Sequence, residues 1–135
     1  DLEPDAKLVH ARAYPVPKIH EAAYKKELFH LVKLGVLAYQ GPSDWASPSF
    51  IMPKKDGRVR WITDLRALNR CIRRQQYPLP RINDILRKRS GYKFFTKLDI
   101  SMQYYTFKLD KESQELCSLV TPFGKFKYLR LPMPN

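Results

Sequence analysis

Cysteine is nearly missing from this sequence: Cys71 and Cys117 are the whole supply, and no CxxC spacing occurs. Two thiols cannot build a disulfide framework, so buried free thiols in a reducing compartment are expected. Histidine is as sparse, with His10, His20 and His30 ten positions apart. That interval matches neither a helix face nor a zinc-finger ligand set, and the three read as surface residues. No apolar run approaches the roughly 18 residues of a membrane span, and no signal-peptide pattern leads into Asp1. A soluble intracellular protein, cytoplasmic or nuclear and without a membrane partner, is therefore expected. Internal repeats and low-complexity tracts are absent too. Acid is in deficit, with 13 Asp and Glu against 25 Lys and Arg for a net charge of +12. Such a surplus points first to a polyanionic partner, nucleic acid above all. An anionic membrane fits less well, because the cations are spread over turns and strand-like segments and not along one face of an amphipathic helix.

What is present is enough for one domain with a modest core: 135 residues, 44% of them apolar. Pro4, Pro15 and Pro17 mark residues 1–18 as an extended arm. Tyr24, Leu28, Leu31 and Val32 then fall at helical spacing, with Lys25, Lys26 and Lys33 on the other face, and Gly35 closes the segment. "SFIMPKKDGRVRWITDL" reads as strand, turn, strand, with Asp56-Gly57 expected in a two-residue type I′ turn. Lys54, Lys55, Arg58 and Arg60 bracket that turn. "PLPRINDILRKRSG" has the marks of a short helix. After it the period drops to two: Phe94, Thr96, Leu98 and Ile100 alternate with Phe95, Lys97 and Asp99, and Tyr105, Phe107 and Leu109 repeat the pattern. "LCSLV" and "KFKYLRL", parted by a "TPFGK" turn, supply two more strands. The composite is an α+β fold in which a basic β-hairpin and helices pack on a mostly antiparallel sheet.

Asp99 is the anomaly, an acid in the most apolar stretch of a basic chain. An ionised carboxylate there has to be solvated, paired or bound to a metal. It can lie on a wet second face beside Lys97, cap the "ISMQ" turn, or hold a hard divalent ion against phosphate. Residue pattern alone leaves all three open.

"FFTKLDISMQYYTFKLD" resembles the first catalytic motif of reverse transcriptases, the RNA-directed DNA polymerases. "WASPSFIMPKKDGRVRWITDLRALN" is similar to the fingers of those enzymes, "YPLPRINDIL" to the helix that follows, and "TPFGKFKYLRLPM" to the run into the next palm motif. Order and wording are closest to gypsy-type long-terminal-repeat retrotransposons, over residues 10–133. The resemblance implies part of a right-hand polymerase: an arm at 1–18, fingers at 19–91 and a truncated first part of the palm at 92–135. It implies Asp99 as a catalytic, Mg²⁺-holding carboxylate, with the Ile100 carbonyl as a further metal ligand. The N–H groups of Met102 and Gln103 would meet the triphosphate, and Tyr104 would pack under the sugar. Lys54 and Arg60 would close onto the phosphates, Ile62 would press on the templating base, Arg66 would face the template, Asp64 would serve as scaffold, and Met133 would help cover the nucleotide. The implied partners are a dNTP and an RNA or DNA template-primer.

The family draws its remaining metal carboxylates from a later "YxDD"-like hairpin that this sequence does not contain, and it has a glycine where Pro134 stands. The chain alone is therefore expected to be inactive or nearly so. Missing palm and thumb segments, or self-association, are expected to cover its exposed strand edge. The reading of another class is a non-catalytic basic nucleic-acid-binding or interaction module, in which Asp99 has no use.

Overall fold

The computed structural model describes residues 2–75 and 77–133. Asp1, Gln76, Pro134 and Asn135 lie outside the described residues, and with them the first residue of the expected arm, one residue of the basic "RCIRRQQ" run and the proline of the "LPMPN" end.

The first helix, α1, runs Lys18–Lys33 and buries Tyr24, Leu28 and Leu31, the residues whose spacing predicts it. Its end is a Schellman motif: Val36 N–H donates to Leu31 O and Gly35 N–H to Val32 O, each at 3.0 Å. The reversal needs φ of +67° at Gly35, a value most side chains resist. The chain then lays down β1 (Leu37–Tyr39), β2 (Ser47–Pro53) and β3 (Val59–Thr63), followed by the short helices α2 (Arg66–Cys71) and α3 (Ile82–Arg87). A 3-10 turn at Gln103–Thr106 leads to α4 (Lys111–Leu116), β4 (Ser118–Thr121) and β5 (Gly124–Tyr128).

All the strands join one five-stranded sheet in the order β1-β5-β4-β2-β3. Only β2 and β4 pair parallel; the other contacts are antiparallel. This is the mostly antiparallel α+β arrangement expected. The sheet draws strands from both sides of the expected border between 91 and 92, since β4 and β5 lie between β1 and β2.

The core fills the space between α1 and the sheet: Tyr24, Leu28 and Leu31 meet Val36, Leu37, Trp61, Leu119, Phe126 and Tyr128. Tyr24 packs on Trp61 with ring centroids 4.8 Å apart, and on Phe123 at 5.7 Å. A chain of hydroxyls crosses this core. Ser49 Oγ bonds Thr63 Oγ1 at 2.9 Å, Thr63 Oγ1 bonds the Tyr128 hydroxyl at 2.9 Å, and Trp61 Nε1 donates to that same hydroxyl at 3.2 Å. Polar groups buried this deeply are tolerated because each finds a partner. Burial pushes the Tyr128 and Tyr24 phenols well above their ordinary value, so both stay neutral donors.

Two sequence expectations are corrected. The β2–β3 hairpin exists, but its turn is not type I′, because Gly57 has positive φ (+78°) while Asp56 does not. Gly57 N–H donates to Lys54 O at 3.1 Å and Lys54 N–H to Arg58 O at 2.7 Å, which closes a three-residue loop with a left-handed glycine. An Asp56–Arg58 fork, 2.7 and 2.9 Å from Nη2 and Nε to Oδ2, stiffens the tip. The second correction is larger: residues 93–100 form no strand and are all exposed. Alternation gives a segment two faces, but a strand also needs a hydrogen-bonded neighbour, and among the described residues there is none. In the repeat that follows, Tyr105 reaches the core while the backbone coils into the 3-10 turn.

Candidate nucleotide and nucleic-acid site

Along β3 the side chains alternate: Trp61 and Thr63 enter the core, while Arg60, Ile62 and Asp64 turn outward. On β2, Phe50 lies opposite Ile62, and Met52 opposite Arg60. These residues floor a cleft of about 750 Å³. Tyr14 and Pro15 of the N-terminal arm form one wall, Arg66 and Met133 another. Backbone bonds hold the arm there, Ala46 N–H to Val9 O at 2.7 Å and Ala11 N–H to Ala46 O at 2.9 Å. Tyr14 packs edge-on against Phe50 with centroids 6.0 Å apart, and its hydroxyl donates to Asp64 Oδ2 at 3.3 Å.

Asp64 is the electrostatic hinge of the cleft. Arg66 grips it twice, Nε to Oδ1 at 2.9 Å and Nη2 to Oδ2 at 2.7 Å, and the Arg66 backbone N–H adds a bond to Oδ1 at 3.2 Å. The Arg66 side chain is 77% exposed against 13% for Asp64, so the carboxylate anchors and the guanidinium presents. Those donors, Arg66 first, hold the Asp64 carboxyl down at about 2. Its charge survives any ordinary pH.

The structure brings together four of the residues singled out in the sequence, Arg60, Ile62, Arg66 and Met133, around one cleft, with Asp64 between two of them. Lys54 stands outside the cleft lining on the hairpin tip, exposed. Among the described residues Lys54, Lys55 and Arg60 make no ion pair, whereas Arg58 is spent on Asp56. The other group lies apart. Asp99, Ile100, Met102, Gln103 and Tyr104 line no part of the cleft and sit on the exposed stretch before and within the 3-10 turn. Met102 is the one non-glycine residue with positive φ among the described residues, at +53°. It leads a helical turn whose first N–H groups, those of Met102 and Gln103, lack intrahelical acceptors. Tyr104 is 42% exposed and Ile100 59%.

Sequence reasoning missed Tyr14, Pro15, Phe50 and Met52. The tyrosine had no usable signal: an aromatic in a proline-rich arm gains meaning only through a contact with Asp64, fifty residues away. Phe50 could have been found by pairing β2 against β3 and asking which residues share a face with Ile62.

A two-metal site needs several anionic oxygens, because dications about 3.5 to 4 Å apart repel one another. Among the described residues no three His, Cys, Asp or Glu side chains gather to hold an ion. Asp99 on its own does not fit such a centre. Asp110 is otherwise engaged as the N-cap of α4, accepting from Ser113 N–H at 2.7 Å.

Residues 52–133 match the family model described as reverse transcriptase (RNA-dependent DNA polymerase). Transposon Tf2-3 and Tf2-4 polyproteins of Schizosaccharomyces pombe are each 32% identical over 121 residues, covering 90% of this chain and 9% of theirs. The chain thus spans under a tenth of the curated relatives it matches. Prototype foamy virus protease-reverse transcriptase superposes with a TM-score of 0.81 at 26% identity, over 96% of this chain and 17% of that one. A foamy viral protease-reverse transcriptase in complex with dsDNA has the same fold, with a TM-score of 0.74 at 21% identity over 96% and 28% of the two chains.

Proposed function

The chain belongs to the reverse transcriptase family, and on that premise we propose that it is the template- and nucleotide-facing part of an enzyme that adds deoxynucleotides to a primer 3′-hydroxyl. One observation carries the reading: the cleft between β2, β3 and the arm has an aromatic and aliphatic floor, two guanidiniums at its margin and a cationic hairpin beside it. A flat base stacks on such a floor, and its phosphates meet Arg60, Arg66 and Lys54. Ile62 supplies the surface against the base, Met133 closes it from the far side, and Asp64 aims Arg66 while Tyr14 steadies Asp64. Lys54 offers a point charge on the hairpin tip, and Arg60 a fork able to grip two oxygens.

The family is metal-dependent in general, and Mg²⁺ in the complete enzyme would supply charge neutralisation at the phosphates. Asp99 would contribute one carboxylate to that site, with the Ile100 carbonyl beside it. The rest of the ligand set is not among the described residues, so no chemical step is assigned to this chain. The Met102 and Gln103 N–H groups would meet the triphosphate at this turn, and the half-exposed Tyr104 would pack under the sugar. The fingers comprise residues 19–91 together with the β4–β5 hairpin that completes their sheet, and the palm share is the run from Tyr92 to Leu109. Ahead of α1 lies an arm whose Tyr14 and Pro15 line the cleft. A basic module with no catalytic parent is less favoured, because the cations surround an apolar cleft and do not form a plain charged face.

The test is fluorescence anisotropy with a labelled template-primer bearing a 5′ overhang. Lys54→Ala and Arg60→Ala should each weaken binding several-fold, and Lys26→Ala on the outer face of α1 should change it less than twofold. Equal effects of all three would reduce the protein to a diffuse polycation and sink the reading.

A further inference from the structure

The chain carries two Asp-x-Arg steps, Asp56-Gly57-Arg58 at the hairpin tip and Asp64-Leu65-Arg66 beside the cleft. In both, the carboxylate accepts from the arginine's own backbone N–H and from its Nε and Nη2. The two forks are not equivalent. Arg66 gives each side-chain donor an oxygen of its own, Nε to Oδ1 and Nη2 to Oδ2, on a carboxylate only 13% exposed. Arg58 sets both donors on the single oxygen Oδ2, and its carboxylate is 46% exposed. A guanidinium is matched by two oxygens side by side, so the Arg66 fork is satisfied and the Arg58 fork is not. An ion pair this open to water is also held weakly.

The register of the hairpin sets what surrounds the weaker fork. Pro53 and Val59 form the last ladder pair, and one step beyond them Lys54 N–H donates to Arg58 O at 2.7 Å, so Lys54 and Arg58 stand opposite each other. Like charges opposed in this way repel. The Asp56 carboxylate is the anion that relieves them: the Arg58 donors first, and the charge on Lys54 after them, hold it below its ordinary value. Period-two alternation carries the same face of the ribbon inward from Lys54 to Met52 and from Arg58 to Arg60, both of which line the cleft. The opposed cations are therefore the next step along the cleft's own face.

We propose that Asp56 is a resident stand-in for phosphate, and that a phosphate group reaching out of the cleft past Arg60 displaces it and takes Arg58 and Lys54 together. A phosphate offers two oxygens to the two donors that now share one, and it brings the negative charge that the opposed cations need between them. Until then the carboxylate keeps the tip from holding stray anions. This exchange belongs to the cleft already described and rests on that reading in one respect, that the hairpin meets phosphate.

The test is a double-mutant cycle read by binding of inorganic tripolyphosphate and, separately, of the labelled template-primer. Asp56→Asn keeps the side-chain carbonyl that accepts the Arg58 N–H, so the turn stays, while the charge that holds the guanidinium is gone. Equal melting temperatures check that the turn has survived. Asp56→Asn should tighten binding by about threefold in the native background and by less than about 1.5-fold in Arg58→Ala, because only a freed Arg58 brings the gain. Saturation of the native chain with whichever ligand shows the gain should also shift the Arg58 Nε–H proton resonance as the fork changes partner. A gain with tripolyphosphate alone assigns the exchange to a free polyphosphate, and a gain with the template-primer alone assigns it to a phosphodiester. Equal gains in the two backgrounds, or none, would reduce Asp56 to one more negative charge, and an unmoved Nε–H at saturation would show that the fork never opens; either result overturns the proposal. If the hairpin met no phosphate at all, Lys54→Ala and Arg60→Ala would leave binding unchanged, whereas a failed exchange leaves their losses in place.

Discussion

Asp64 shows how much a single residue's environment decides. Its carboxyl accepts from Tyr14, from both arms of Arg66 and from the Arg66 backbone, so its folded-state value sits near 2, below the ordinary 3.8. A carboxyl depressed on folding contributes stability that is complete above its unfolded value and is lost as pH falls through the folded one. Melting temperature should therefore fall more steeply between about pH 4 and 2 in the native chain than in Asp64→Asn, as calorimetry across that range would show. Tyr128 is the other residue on which several contacts converge. Tyr128→Phe keeps the ring but leaves the Trp61 Nε1–H without its acceptor, while Thr63 keeps its bond to Ser49. An unsatisfied buried donor should lower stability by about 1 to 3 kcal/mol, measurable by urea unfolding. Cys117 is a quieter case: burial lifts its thiol to about 11, so it should react slowly with a maleimide at neutral pH in the folded chain and quickly once unfolded.

Elements were legible to different degrees, for reasons visible in their residues. α1 is readable because Tyr24, Leu28 and Leu31 keep a period that only a helix buries on one side, and because Gly35 supplies the reversal. The hairpin was readable as a hairpin but not as a turn type, since Asp56-Gly57 suits both a two-residue and a three-residue loop and the choice is set by the register of β2 on β3. α4 has no counterpart among the expected elements; Asp110, accepting from Ser113 N–H, starts a helix between the alternating run and the strand of "LCSLV". Asp110→Ala should cost about 1 kcal/mol of stability in thermal unfolding, with Asn retaining most of the effect. The strand expected at 93–100 has the right alternation and no partner, and alternation carries no information about whether a neighbour is present.

At the scale of the whole molecule, the charge of +12 sets the salt dependence of any contact with a polyanion. Nucleic-acid binding through Lys54, Arg60 and Arg66 should weaken steeply with salt, because each phosphate contact releases counterions. Anisotropy at 50 and 300 mM salt, about a 2.4-fold change in screening length, checks this. The sequence by itself determined the helix, the basic hairpin, the strongly positive net charge and, through its motif resemblance, the family, because periodicity, net charge and linked short motifs are local properties of the chain. Tertiary structure alone decided that β5 slots between β1 and β4, that Tyr14 and Phe50 join Ile62 in one cleft, that Arg58 is tied down while Arg60 is presented, and that Asp99 stands in the open. Most of those outcomes depend on which segment comes to lie beside a residue, as with Tyr14 and Asp64 fifty positions apart, and such contacts are settled by packing the core, not by any pattern along the chain; the Asp56–Arg58 fork is the local exception.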